Sequence, residues 1–482
     1  MTDAPRVTVA EISLHERPVR LRLPFRFGVV TLTECPQAFA HVRIVLADGR
    51  SCWGGAAELM APKWFDKNLA LSNDDNFEQL RAVLRLAREA YLADALSTSS
   101  NDTAFGHFAR NHGAHQANCM ALGFNPLLAS YGPALIDRAL LDALCRALGV
   151  SFYTAVQGNL VGLGAAHPAF AGVDWDLFLA RLAPATSIAA RHTVGMVDAI
   201  TAAELRDPVS DGLPETLEQV TAQYGHRHFK LKVGGHIDDD IARLTAIAAV
   251  LDISPNAYQA SLDGNEQYAD AADVAELLAR MQQTPALARL LRSIAFIEQP
   301  IARKTALDAD VRALAAIKPV IVDESDGELD AFVQARARGY TGISSKTCKG
   351  LYRSLLNASR CAAWNAEDGA GRYFMSGEDL TTQAGLSVQQ DLALVNLLGI
   401  GHVERNGHHY VNGMAALPQT EQQAFLVAHP DLYQHSHGAV RLCIRDGRIA
   451  LGSLAGVGFA SGAQPDWASM PDLAAAAARP AS

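Results

Sequence analysis

From about residue 187 the chain alternates short apolar runs with amphipathic stretches, and that alternation leaves few folds open. The runs TVGMVD, FKLKV, QASLD, AFIEQ, VIVDE, TGISSK and RYFMS are too short for helices and read as strands. Between them lie segments such as IARLTAIAAVL and LYRSLLNASRCAAW, with apolar residues at helical spacing. Repeated βα units cover both faces of a parallel sheet. With an eighth strand near His402–Arg405, the count suits a closed (β/α)8 barrel of the TIM type. An open doubly wound sheet is the competing arrangement. No GxGxxG fingerprint follows an early strand, so its dinucleotide-binding form has little support.

At 482 residues the chain exceeds what one core usually organises, so a second domain is expected. Residues 7–58 supply VTVAEISL, a Phe25/Phe27/Gly28 segment, the alternating AFAHVRIVL, a turn at Asp48-Gly49 and a return through Trp53. This pattern predicts an antiparallel sheet. In ALIDRALLDALCRALG, the residues Leu135, Ile136, Ala139, Leu140, Ala143, Leu144 and Leu148 form one apolar stripe closed by Gly149. The predicted division is an N-terminal α+β domain over 1–150, a connecting excursion over 151–186, the barrel over 187–410 and a C-terminal segment over 411–482. Within the last, AVRLCIRDGRIALGSLAGVGF is expected to form a hairpin turning at Asp446-Gly447 and to rejoin the N-terminal sheet.

Strand residues alternate between faces, so in FKLKVGG the side chains of Lys230 and Lys232 enter the barrel while Phe229, Leu231 and Val233 meet the helices. Two buried ammonium groups are costly without compensating anions. The next three strands each end in a carboxylate: Asp263 in SLDGN, Glu298 in FIEQP and Asp323 in VIVDES. Strand ends converge at the C-terminal face of a barrel, where three carboxylates repel one another unless a cation joins them. Three oxygen ligands with open positions suit Mg²⁺ better than a closed zinc site. The following strand, GISSKTCKG, adds Lys346 at its C-terminal end. Lysines thus stand before and after the carboxylates, placed to face opposite sides of one bound molecule as acid and base.

The ordered set KLK, DGN, EQP, DES and a strand-end lysine resembles the enolase superfamily, in its mandelate racemase and muconate lactonizing enzyme group. A lysine on strand six is similar to the muconate-lactonizing branch. The resemblance covers nearly the whole chain; LRLPFRFG and ADGRSCWGGAAE look like loops of a capping domain that closes over substrate. It implies a (β/α)8 barrel with an N-terminal α+β capping domain completed by the C-terminal segment. It also implies an isomerase or lyase that removes the proton beside a substrate carboxylate, with Mg²⁺ stabilising the enediolate. By position, Asp263, Glu298 and Asp323 would bind the metal and Lys232 and Lys346 would be acid/base groups. Lys230 would neutralise substrate oxygens, and Asn265 and Glu324 would lie just outside the ligands. Asp263 and Glu298 stand 35 positions apart but Glu298 and Asp323 only 25, so an insertion near MQQTPALARLLRS is expected.

A net charge of -10 spread without runs of like charge argues against nucleic acid, and no apolar run is long enough for a membrane span. Seven scattered cysteines without CxxC pairs read as small buried residues. The start MTDAPRVTVAEISL lacks a secretory pattern, so a cytoplasmic homo-oligomer acting on a small carboxylate is expected. Lys349 reads as a solvated helix-start residue, and His112 and His115 as exposed. His402, His408 and His409 read as structural or surface residues, Glu378 and Asp379 as acidic loop residues. Arg26 reads either as a cationic lid residue or as a solvated loop arginine, and Trp53 and Trp64 read as ordinary packing residues with lid contact as the alternative. A Schiff-base aldolase using Lys232 or Lys346 is the alternative enzyme class. A metal-containing barrel kept as a non-catalytic binding protein is the other alternative. Neither needs all three carboxylates together with both lysines.

Overall fold

The computed structural model describes residues 4–28, 30–95, 101–369 and 371–475. The N-terminal strands β1 (Val7–Phe27), β2 (Val30–Leu46) and β3 (Ser51–Leu59) form an antiparallel sheet in that order. Helices α1 (Asn73–Ala95), α2 (Ala104–Ala121) and α3 (Pro126–Leu148) follow. The Asn125 side chain caps α3 at Leu128 N, Pro126 opens its first turn, and Gly149 closes it at φ 70. The helix crosses β3 so closely that a Cβ on Gly54 would sit 2.1 Å from Ala143 N, which restricts that position to glycine.

The barrel consists of β4 (Ser187–Val194), β5 (His228–Lys232), β6 (Gln259–Asp263), β7 (Ile294–Glu298), β8 (Val320–Val322), β9 (Gly342–Ser345), β10 (Phe374–Gly377) and β11 (His402–Glu404). Each pairs in parallel with the next, and β11 pairs back onto β4 through His402 and Ala189, closing the cylinder. The first strand is SIAARHTV rather than TVGMVD; beyond Val194 the chain turns, with Gly195 N donating to Asp198. Arg191 and Thr193 project inward to carboxylates, so this strand lacks the apolar signature of its neighbours. The insertion after β6 is helical, with Ala271–Gln283 followed by a 3-10 turn at Pro285–Leu287 and a further helix at Ala288–Ser293.

The C-terminal segment departs from the expected hairpin. Strands β12 (Tyr433–Ser436) and β13 (Ala439–Leu442) pair with each other, while β14 (Arg448–Ala450) lies antiparallel on β4. The Asp446-Gly447 turn forms, with both residues at positive φ, but only Arg445 and Arg448 bridge across it. The start of β4, residues 187–189, offers β14 three partners, more than the short stem of that turn. The chain then returns to the N-terminal domain without adding a full strand: Phe459 stacks on Phe152 at 3.9 Å, Trp467 on His41 at 4.0 Å, and Leu473 N donates to Leu14 O.

The 158–186 stretch packs on the same side, with Phe170 and Trp175 buried near Phe105. All seven cysteines are free thiols, and six of them are buried. Among the described residues no helix is long and apolar enough to cross a membrane.

Candidate active site

On β5 the alternation holds: Phe229 and Leu231 join the core between sheet and helices, and Lys230 and Lys232 point inward. Lys230 Nζ lies 2.8 Å from Asp263 Oδ2, Glu298 Oε1 and Glu378 Oε2, and 3.0 Å from Glu404 Oε2. Burial alone would favour the neutral amine, but these four carboxylates override it and hold the pKa well above the usual lysine value. Lys230 is therefore a fixed cation whose contacts here are the protein's own anions. Lys232 Nζ donates to Asp263 Oδ2 at 2.5 Å and to Asn265 Oδ1 at 2.6 Å.

Asp263, Glu298 and Asp323 sit side by side at the ends of β6, β7 and just beyond β8, all fully buried. Opposing burial, Lys230 and Lys232 keep Asp263 below the usual carboxylate range, and Lys346, Lys349 and Lys230 do the same for Asp323. Glu298 behaves differently. Burial, then the neighbouring Asp263 and Glu378, push it well above the usual range, and its Oε2 has no hydrogen-bond partner. The turn residues beyond the strand ends, Asn265 (φ 39), Glu266 (φ 69) and Gln299 (φ 33), adopt left-handed backbone. Such conformations cluster where geometry serves a site. Asn265 N donates to Asp263 Oδ1, and Asn265 Nδ2 to Glu324 Oε1 at 3.0 Å. Burial and then Asp323 raise Glu324 to about 6.

Lys346 Nζ closes the other end of the row, 2.5 Å from Asp323 Oδ2 and 4.3 Å from the centre of the Trp64 ring. Burial would lower its pKa, but Asp323 reverses this and raises it above the usual lysine value. The oxygen atoms of the three strand-end carboxylates do not all come within 4.8 Å of one another, and Lys232 and Lys346 stand on Asp263 Oδ2 and Asp323 Oδ2. The donor set nevertheless fits a hard divalent cation: it is all oxygen, its negative charges repel, and Glu298 Oε2 is unpartnered.

Several side chains differ from expectation. Lys349 is buried, 2.8 Å from Asp326 Oδ2 and donating to Ser344 O at 2.9 Å, because the tight turn at Thr347–Lys349 folds it back under the strand end. His115 is buried and pairs with Ala129 O, and His112 is half-buried, since α2 packs that face on α3. Glu404 and Arg191 escaped sequence reasoning altogether. Glu404 ends its strand as Asp263 and Glu298 end theirs, a signal that was available; it accepts from Thr193 Oγ1 at 2.5 Å. Arg191 donates to Glu378 and to Gly377 O, and its Nη1 donates to His402 Nδ1 at 2.8 Å.

A small cavity of about 20 Å³ lies over Lys230, Lys232 and Lys346, roofed by Phe25, Ala61 and Trp64 from the N-terminal domain. Trp53 is elsewhere, stacked on His41 at 4.2 Å. The Arg26 side chain is exposed, although its carbonyl accepts from Met196 N and ties β1 to the barrel. A larger cavity of about 960 Å³ lies to one side and reaches Glu266, Arg303 and Glu324 but none of the three lysines. The buried charges meet at the smaller one.

Residues 212–462 match the profile of the enolase C-terminal domain-like family. No curated protein sequence matches the chain. Among solved structures, the muconate lactonizing enzyme of Mucobacterium Smegmatis, complexed with muconolactone, is 18% identical, with 96% of this chain and 98% of that one covered at a TM-score of 0.59. The dipeptide epimerase of Enterococcus faecalis V583, complexed with Mg and L-Leu-L-Tyr, is 14% identical over 94% and 99% at 0.58. An enolase from Bradyrhizobium, complexed with magnesium and mandelic acid, is 16% identical over 93% and 95% at 0.55. At these identities the structures establish a shared fold, and the profile match spans more than half of the chain. The chain belongs to the enolase C-terminal domain-like family, within the mandelate racemase and muconate lactonizing enzyme group.

Proposed function

We propose that this protein is a Mg²⁺-dependent enzyme that removes the proton alpha to a substrate carboxylate, with Asp263, Glu298 and Asp323 as the metal ligands. The observation that carries this reading is the row of three strand-end carboxylates with Lys232 at one end and Lys346 at the other. Bound there, Mg²⁺ would offset the negative charge that develops on the substrate as the proton leaves. A cation held by Asp323 would relieve the pull that keeps Lys346 protonated. Lys232, oriented by Asn265, and Lys346, covered by Trp64, then serve as the acid/base pair on opposite faces. Asn265 is itself tied to Glu324, and Lys230 remains protonated among its carboxylates. Phe25 and Trp64 exclude water, so the N-terminal domain opens to admit substrate and closes for the reaction.

The similar structures hold a dipeptide, mandelic acid and muconolactone, which sets the class of compound to try: small carboxylates and their lactones. The outcome is an isomerisation, epimerisation, cycloisomerisation or elimination, decided by pocket shape. A panel of dipeptides, 2-hydroxy acids, acid sugars and lactones in D2O, read by NMR, tests the proposal. Mg²⁺-dependent deuterium at the alpha carbon of one compound is expected. A borohydride-trapped lysine adduct without such exchange would transfer the assignment to a Schiff-base aldolase.

A further inference from the structure

Beyond the carboxylate row, three imidazoles converge on the outside of the barrel wall. On β4, Arg191 and Thr193 point inward, so His192 between them points outward. His226 leads into β5, and His408 lies in the short helix Gly407–Tyr410 after β11. One ring nitrogen from each lies within 4.8 Å of the others, and among the described residues this is the one group of three histidine, cysteine or carboxylate side chains so arranged.

Several ring nitrogens of the cluster lack partners. His226 Nδ1 lies 3.0 Å from Ala190 O, and because a carbonyl only accepts, that nitrogen carries the proton and Nε2 keeps its lone pair. That Nε2, His192 Nδ1 and both ring nitrogens of His408 are buried without a hydrogen bond of good geometry, although His408 also feels the Arg405 backbone. His192 and His226 are 2% and 6% exposed. Leaving several buried polar atoms unsatisfied in one place is costly for ordinary packing. A ring nitrogen held by a backbone carbonyl while the other faces inward is the arrangement that orients a metal-binding imidazole. Burial also keeps all three rings below the usual histidine pKa, His226 at about 4, and neutral imidazole is the ligating form.

We infer that His192, His226 and His408 form a second metal site, for a borderline divalent transition ion of the Zn²⁺ type, separate from the carboxylate row. Three imidazoles and a water complete the tetrahedral set such ions favour, whereas Mg²⁺ takes oxygen ligands. The ligands come from the first strand, the approach to the second and the segment after the eighth. The ion would therefore clamp the seam where β11 closes on β4.

Chelator-treated full-length protein is saturated with Mg²⁺ and titrated with Co²⁺, followed by visible absorption, and with Zn²⁺, followed by calorimetry. One equivalent should bind with tetrahedral Co²⁺ absorption and raise the melting temperature. In His408→Ala the affinity should fall by more than the roughly 10- to 100-fold that loss of an outer partner causes. His226→Phe, which keeps the ring volume, guards against a folding defect in the first variant. Glu298→Gln should leave this binding intact, which separates the site from the carboxylate row. Absence of Co²⁺ and Zn²⁺ binding in the wild type, its loss in Glu298→Gln, or its survival in both histidine variants would overturn the assignment.

Discussion

Lys346 Nζ lies 2.5 Å from Asp323 Oδ2, at the far end of the carboxylate row from Lys232. Asp323 has two roles in this arrangement: it is the proposed metal ligand nearest Lys346, and it holds the Lys346 ammonium in place. Lys346→Ala should therefore reduce turnover by about 10²- to 10⁴-fold, the usual contribution of an acid/base group. Exchange on the opposite face, through Lys232, should survive in part. Stereospecifically deuterated substrate read by NMR separates the two faces, and equal loss on both would deny the lysines distinct sides.

Glu298 combines an unpartnered oxygen with the least comfortable charge of the three strand-end carboxylates. Glu298→Gln should weaken Mg²⁺ binding in calorimetry while leaving the circular dichroism spectrum unchanged. Undiminished affinity in that variant would remove Glu298 from the ligand set.

The N-terminal domain also grips the turn that follows Lys346. Glu58 Oε2 on β3 accepts from Arg138 Nη2 at 3.0 Å and from Thr347 Oγ1 at 2.9 Å, and both charged side chains are fully buried. Burial, opposed by Arg138, lifts the Glu58 carboxyl to about 7, so the pair is fully charged only above that pH. There Glu58→Ala strands the Arg138 charge and should lower stability by about 3–5 kcal/mol in denaturant unfolding. Glu58→Gln, which can still accept from Thr347, should lose less.

His402 offers a pH test away from the carboxylate row. Its Nδ1 accepts from Arg191, which requires a neutral ring, and burial followed by Arg191 lowers its pKa to about 2. The folded pKa is below the unfolded value of about 6.5, so on acidification the unfolded chain takes up the proton first and stability falls. From pH 7 to pH 5 this amounts to about 2 kcal/mol. His402→Gln, which can also accept from Arg191, should lose about that much less than wild type over the same interval. Parallel stability profiles in denaturant titrations would mean that His402 is not held neutral.

The barrel and the carboxylate row were legible because strand ends reveal themselves: an apolar run that stops at a charge marks both the element and the direction of its last side chain. The N-terminal sheet and the Gly149 helix stop were legible for similar local reasons. What hid was decided by distant partners. β4 carries Arg191 and Thr193 where an apolar strand was expected, and their counterparts Glu378 and Glu404 lie about 190 to 210 positions away. Lys349 sits one turn past the strand, where local rules expect solvent, but Asp326 and Ser344 draw it inward. Trp64 rather than Trp53 roofs the site, a choice set by how the N-terminal domain docks. The C-terminal turn at Asp446-Gly447 was read correctly, but its strands pair with β12 and β4, which lie outside the local pattern.

The central claim is that three strand-end carboxylates and two lysines move a proton beside a substrate carboxylate only when a cation is bound. Deuterium incorporation at the alpha carbon, followed by NMR against Mg²⁺ concentration in chelator-treated protein, tests it most directly. The account predicts exchange that rises with occupancy of one Mg²⁺ per chain and disappears in Asp323→Asn. Exchange that persists without divalent metal, or that Asp323→Asn leaves at the wild-type rate, would contradict it.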